Sequence, residues 1–314
     1  TSVPRSSVNQ NRSSFQVPSI FNLLIPFAYF HASTQNAAMS IPKSYLSIDQ
    51  IASQIPDGAL IGIPKDDGGV SMAITRALIR RKARDLRLLT VPVSSVQADM
   101  LIGSGCVSKI ETSGVSLGEF GAAPNFRRAV EHGRIAIHDA TCPALYAELQ
   151  ASEKGVPFMP LRGILGSDIL ANRADWKTID NPMADGQDPI VLLPARCPDV
   201  ALFHARYGDK HGNIWVSGRR ECILLAHASA QTFASVEEIW DGNLLEDERM
   251  VAGTIPPVYV SGVAHAPKGA WPLALSGCYD QDGDHLKMYV EAAKSEEAFA
   301  EYINSQILTS ESTA

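Results

Sequence analysis

The sequence predicts an α/β fold, an open and mostly parallel sheet flanked by helices. Three observations carry that expectation. The stretch from Ile55 to Thr90 reads strand, Gly-rich turn, helix, strand. Strand-like and helix-like segments then alternate down the rest of the chain. Several strand-like runs are short and apolar throughout, which suits strands buried in a sheet.

In the opening unit, Ala59–Ile63 is an apolar run led by the turn dipeptide Asp57-Gly58. Lys65–Gly69 is charged and Gly-rich. Ser71–Ala83 has the helical period: Met72, Ile74, Ala77, Leu78 and Ile79 make the apolar side. Arg76, Arg80, Arg81 and Lys82 crowd its end, where they complement the helix dipole. Ser71 is the expected N-cap. Leu86–Val91 is the next buried strand, so the unit is a βαβ with a right-handed crossover and parallel strands. Its turn lies where a strand's carboxyl end meets a helix N-terminus, the ligand side of open α/β sheets. Neither GxGxxG nor GxxxxGK[ST] is present. Gly68 and Gly69 therefore read either as backbone facing a ligand or as a tight turn needing positive φ.

Ser47–Gln54 is an expected short helix capped by Ser47. Downstream, Val96–Gly103 reads as helix, Val107–Ser113 as strand, and Gly114–Pro124 as a Gly-rich loop on the ligand side. Asn125–Gly133 is a helix capped by Asn125, Arg134–Asp139 a strand, and Pro143–Lys154 an amphipathic helix. Val156–Pro160 is expected as a buried strand. Leu165–Asp168 and Trp176–Gln187 are turn-rich and polar, an excursion over the sheet. Ile190–Leu193 and Val200–His204 are strands, Ala205–Gly218 a hairpin-like connection, Glu221–Ala230 a helix and Gln231–Trp240 a strand. Pro256–Val263 is a strand, Ala264–Trp271 a Pro/Gly loop, and His285–Ala300 one helix.

The chain has 314 residues, 45% of them apolar and 19% charged, with net charge −7. That composition gives ample core and makes nucleic acid a poor partner. No apolar run reaches membrane-spanning length. Five scattered cysteines without CxxC argue for reduced thiols and a cytoplasmic protein. Residues 1–38 differ from the rest, and Met39 opens a run that reads as a chain start. Residues 1–38 are therefore expected to be an extension outside a single domain at 39–314. The alternative for Ser19–Phe30 is the apolar core of an export signal.

No metal site is expected: the eight histidines are dispersed, and His204 and His211 lack HExxH or a Cys partner. No GxSxG elbow occurs. Glu119, beside Phe120 in the Gly114–Pro124 loop, is the acid best placed to serve as base or nucleophile if partly desolvated. Otherwise it is an exposed loop acid. Asp66 and Asp67 carry the same ambiguity.

Taken in order, several segments resemble the A-type half of the family I coenzyme A transferases. They are IPDGALIGI with its Gly-rich loop, ITRALIRRKARDLRLLT, GCVSKI with GVSLG, NFRRAVEHGRI, GVPFMPLRGILGSDI, PDVALFHARYGDKHGNIWVSG and GVAHAPKGAWP. The resemblance spans about residues 47–300. It is nearest to the A (alpha) chains of glutaconate transferases and of the steroid ring-opening hydrolases. It implies the transferase type of open α/β fold, shared with sugar-phosphate sensors. It implies a separate B (beta) subunit in an α2β2 assembly, acyl-CoA and a carboxylic acid as substrates, and no tightly bound cofactor. The catalytic glutamate, which forms a glutamyl-CoA thioester, is then expected on the B subunit. This chain completes the cleft, with Gly68, Gly69, Ser116 and Glu119 as its site residues. Two departures stand out. Pro64-Lys65-Asp66-Asp67-Gly68-Gly69 replaces the family's Gly-Gly-Phe-like loop. Ala123 precedes Pro124 where the ring-opening hydrolases carry a glutamate. The alternatives are a CoA-thioester hydrolase or ring-opening subunit using Glu119, and a non-catalytic ligand-binding protein of the same fold.

Overall fold

The computed structural model describes residues 45–65 and 69–309. The expectations for residues 1–38, Asp66, Asp67 and Gly68 lie outside the described residues.

In chain order the elements are α1 (Ile48–Gln54), β1 (Leu60–Pro64), α2 (Met72–Arg80), β2 (Leu86–Val91), α3 (Val96–Gly103), β3 (Val107–Thr112), α4 (Pro124–Glu131) and β4 (Ala136–Asp139). There follow α5 (Cys142–Glu153), β5 (Phe158–Leu161), α6 (Asp168–Ala171), β6 (Lys177–Asp180), β7 (Pro189–Pro194), β8 (Val200–Asp209), β9 (Ile214–Trp215) and α7 (Arg220–Ala228). The chain continues with β10 (Gln231–Trp240), β11 (Thr254–Ile255), β12 (Gly262–His265), α8 (Gly283–Ala293) and α9 (Glu296–Ile303).

Parallel pairing runs β4–β3–β2–β1–β8–β10–β12. β9 adds antiparallel to the far end of β8, and β11 to β9. Burial on both faces explains the apolar strand sequences. Along β8, Val200 and Leu202 join one core with Ile51, Leu78, Leu101 and Tyr289. Ala201, Phe203 and Ala205 join the other with Leu145, Leu149 and Leu225. The two-residue period of a strand thus feeds a helical layer on each side. Gly62 is required on the second face, since a Cβ there would lie 2.5 Å from Leu225 Cδ2.

Several local expectations are corrected. Ser47 does cap α1, in a reciprocal box with Gln50. Ser71 caps nothing with its side chain; its Oγ lies 2.8 Å from Ser235 Oγ instead. Asn125 sits inside α4, after Pro124, and donates to Asp99. The strand expected at Val156–Pro160 is β5, which is not buried: it pairs with β7, and β7 with β6, in a separate antiparallel sheet. Prolines at both ends of β7 fit a short strand of this kind. Pro256 and Pro257 remove two backbone donors, so the expected Pro256–Val263 strand breaks into β11, a 3-10 turn and β12. The single helix expected at His285–Ala300 is two, because Ser295 accepts from Ala298 N–H and starts α9.

Candidate functional site

The carboxyl ends of β1, β2 and β3 open onto a cavity of about 340 Å³. Lys65 enters it from the end of β1, Ser94 and Ser95 from the turn between β2 and α3, and Ser116 and Glu119 from the loop after β3. Leu117, Phe120, Leu273 and Leu286 supply its apolar wall. Two expected site residues, Ser116 and Glu119, are thus brought together.

The local backbone explains the placement. Ser94 N–H donates to Gly114 O, and Ser116 N–H donates to Ser94 O, which carries the β2–β3 pairing past the strand ends. α3 begins at Val96, so its amino end, with unpaired N–H groups and positive dipole, abuts the cavity. Ser94 is 2% exposed and its Oγ has no hydrogen-bond partner within the protein. A buried hydroxyl without a partner is costly, which marks it as a group that meets a ligand or water. Ser116 accepts from Gly118 N–H at 3.3 Å.

Glu119 lies in a single 3-10 turn, Gly118–Phe120, and is exposed at the cavity mouth; the desolvation expected beside Phe120 does not occur. Its Oε1 accepts from Gln281 Nε2 at 2.5 Å. Gly69 lines a different contact. Its φ is +106°, its carbonyl accepts from His204 N–H at 2.8 Å, and a Cβ there would be 3.0 Å from His204 O. Its need is a close approach to β8. Ala123, at the start of α4, is 2% exposed.

Sequence reasoning missed a buried polar chain beside this loop. His204 is 1% exposed, with Nε2 3.1 Å from Glu237 Oε2 and Nδ1 2.8 Å from Ser235 Oγ. Burial lowers the His204 pKa, against the pull of Glu237. Burial alone would raise the Glu237 carboxyl; hydrogen bonds from His204, Lys268 N–H and Tyr279 outweigh it and leave it lowered. The available signal was a lone His in the apolar run Ala201–Ala205. Among the described residues, no group of three His, Cys, Asp or Glu is placed to hold a metal ion. No helix there is long and apolar enough to cross a membrane.

The family model described as coenzyme A transferase matches residues 45–266, which contain every strand from β1 to β12 and the whole polar side of the cavity except Gln281. The chain belongs to the coenzyme A transferase family. That is a family of transferase enzymes, and this member sits among its A-type (alpha) subunits. It is 30% identical over 285 residues to the cholesterol ring-cleaving hydrolase IpdA subunit of Rhodococcus jostii, covering 85% of this chain and 92% of that one. It is 30% identical to the A (alpha) chain of the glutaconate CoA-transferase of Acidaminococcus fermentans, covering 64% of this chain and 68% of the relative. The crystal structure of glutaconate coenzyme A-transferase from that organism superposes with a TM-score of 0.79, at 24% identity, over 85% of this chain and 89% of that one; this is a likeness of fold. A further relative, an uncharacterised protein of Archaeoglobus fulgidus, is longer: the match spans 59% of its length and 84% of this chain, at 29% identity.

Proposed function

We propose that this chain is the A (alpha) subunit of a cytoplasmic CoA-transferase, paired with a B (beta) subunit in an α2β2 assembly. The pair moves coenzyme A between an acyl-CoA and a carboxylic acid, and no cofactor is tightly bound. One observation carries the reading. The cavity at the strand ends offers an unpartnered hydroxyl, a helix amino end and Lys65, while its single carboxylate is exposed and tied to Gln281. Such a site holds oxygen atoms of a substrate but presents no desolvated nucleophile. The nucleophile is then a glutamate of the B subunit.

In that chemistry the carboxylate of that glutamate attacks the thioester carbonyl and expels CoA thiolate, leaving a mixed anhydride. The thiolate attacks the enzyme's own carbonyl, so the substrate leaves as a free carboxylate and the glutamyl thioester remains. The incoming acid reverses both steps. Lys65, Ser94, Ser116 and the N–H groups of α3 are the donors that stabilise the oxygens as charge gathers on them. The apolar wall of Leu117, Leu273 and Leu286 takes a short acyl chain. Gly68 and Gly69 place the Lys65 backbone.

The test is to purify residues 39–314 in complex with the B subunit, then to assay transfer from a panel of acyl-CoAs to acetate. Borohydride should trap a glutamyl thioester on the B subunit, with none on this chain. A second reading is a ring-opening or thioester-hydrolysing subunit with Glu119 as base, favoured by the hydrolase relative and by Glu119 standing at the mouth. Activity of this chain alone, abolished by Glu119→Ala, would replace the first reading with the second.

A further inference from the structure

We propose that Glu237 is a positioning residue for the substrate cavity, its carboxylate fastening the β1–α2 turn and the segment after β12 into one wall. The inference rests on the functional reading above.

The proton positions follow from the acceptor-only nature of a carboxylate. His204 Nε2–H donates to Glu237 Oε2, so Nδ1 accepts from the Ser235 hydroxyl, and Ser235 Oγ accepts from the Ser71 hydroxyl. Tyr279 OH donates to the same Oε2 at 3.2 Å, and Lys268 N–H to Oε1 at 2.7 Å. The Tyr279 oxygen accepts from Ala270 N–H at 3.1 Å. One carboxylate thereby terminates donor chains from β8, from the segment after β12 and, through His204 and Ser235, from the start of α2.

The fit is tight. A Cβ on Gly269 would lie 2.5 Å from His204 Cε1. Ala73 N–H donates to Gly269 O, and Arg76 Nη1 to Trp271 O, across the same seam. Both fastened segments line the cavity: Lys65 belongs to the first, Leu273 and Gln281 to the second. Gln281, two residues from Tyr279, holds Glu119. Apolar side chains would fill this volume with less desolvation cost, so the polar chain is retained for the geometry it imposes.

The experiment uses the complex with its B subunit. Glu237→Gln keeps the size and the Oε1 acceptor but sets an NH2 against two donors. The expected result is a KM for acid and acyl-CoA raised about tenfold, with kcat changed less than about threefold. The 15N spectrum of His204 should switch from Nε2–H to Nδ1–H. Tyr279→Phe should raise KM by a smaller factor and leave the tautomer unchanged. A folded Glu237→Gln complex with unchanged KM, or with its whole loss in kcat, overturns the proposal. Should that variant not fold, unchanged KM in Tyr279→Phe does so. If the wild-type complex transfers no CoA, the functional reading falls instead. The fastening is then decided by amide exchange at Ala73, expected to quicken in both variants, and unchanged exchange overturns it.

Discussion

Ser94 separates the demands of folding from those of binding. Its hydroxyl is buried and unpartnered, so Ser94→Ala should leave stability unchanged or raise it by up to about 1 kcal/mol. The same change should raise KM for the acid about threefold to tenfold, the worth of one lost hydrogen bond. Urea denaturation and steady-state kinetics on one sample check both halves. Glu119 behaves differently, because it is exposed and holds Gln281. In a transferase, Glu119→Ala should lower kcat/KM by about tenfold without abolishing turnover. Total loss would mean that Glu119 carries the chemistry.

Between elements, the closest approach is where α3 meets α4 and α9. A Cβ on Gly103 would lie 2.5 Å from Asn125 Cγ and 2.7 Å from Phe299 Cε1. Asn125 cannot yield, being bound to Asp99, Tyr289 and Arg128. Gly103→Ala should therefore cost about 1–3 kcal/mol in chemical denaturation, as overpacking does. At this scale the sequence was readable wherever a signal was local. Ser47 with Gln50 announced a cap three residues apart, and the apolar runs announced buried strands. Ser71 and Asn125 looked equally like caps. Their partners Ser235 and Asp99 stand 164 and 26 residues away, beyond any local pattern. The loop carrying Ser116 and Glu119 was visible as Gly-rich sequence after a strand. Ser94 was not, because only the packing shows that its hydroxyl lacks a partner. The antiparallel sheet of β5, β6 and β7 was misread because a short apolar run states its hydrophobicity and not its partners.

Over the whole molecule, a buried ionic cluster joins that small sheet to the large one. Arg173 Nη2 lies 2.6 Å from Glu111 Oε1 on β3 and 3.2 Å from Glu148 Oε1 on α5, and its guanidinium stacks on Trp176. Burial, with Glu111 beside it, pushes the Glu148 carboxyl up to about 8 from 4.5. The folded chain then keeps a proton that the unfolded chain releases, so this group's contribution to stability falls as pH rises through that interval. Glu148→Gln should flatten the fall, seen as a melting temperature that declines less than wild type between about pH 5 and 8. The strand order has a further consequence, for the sequence of events in folding. β1 to β4 pair with their nearest neighbours in the chain, whereas Leu60 meets Asp199 across 139 residues. Closing so long a loop adds little to the equilibrium cost but slows the search. The first four strands can therefore assemble while His204 is still unplaced, and Gly69 then waits for its donor. Ligand binding becomes a report on completed folding, because a half-assembled chain exposes its apolar strands before it owns a cavity.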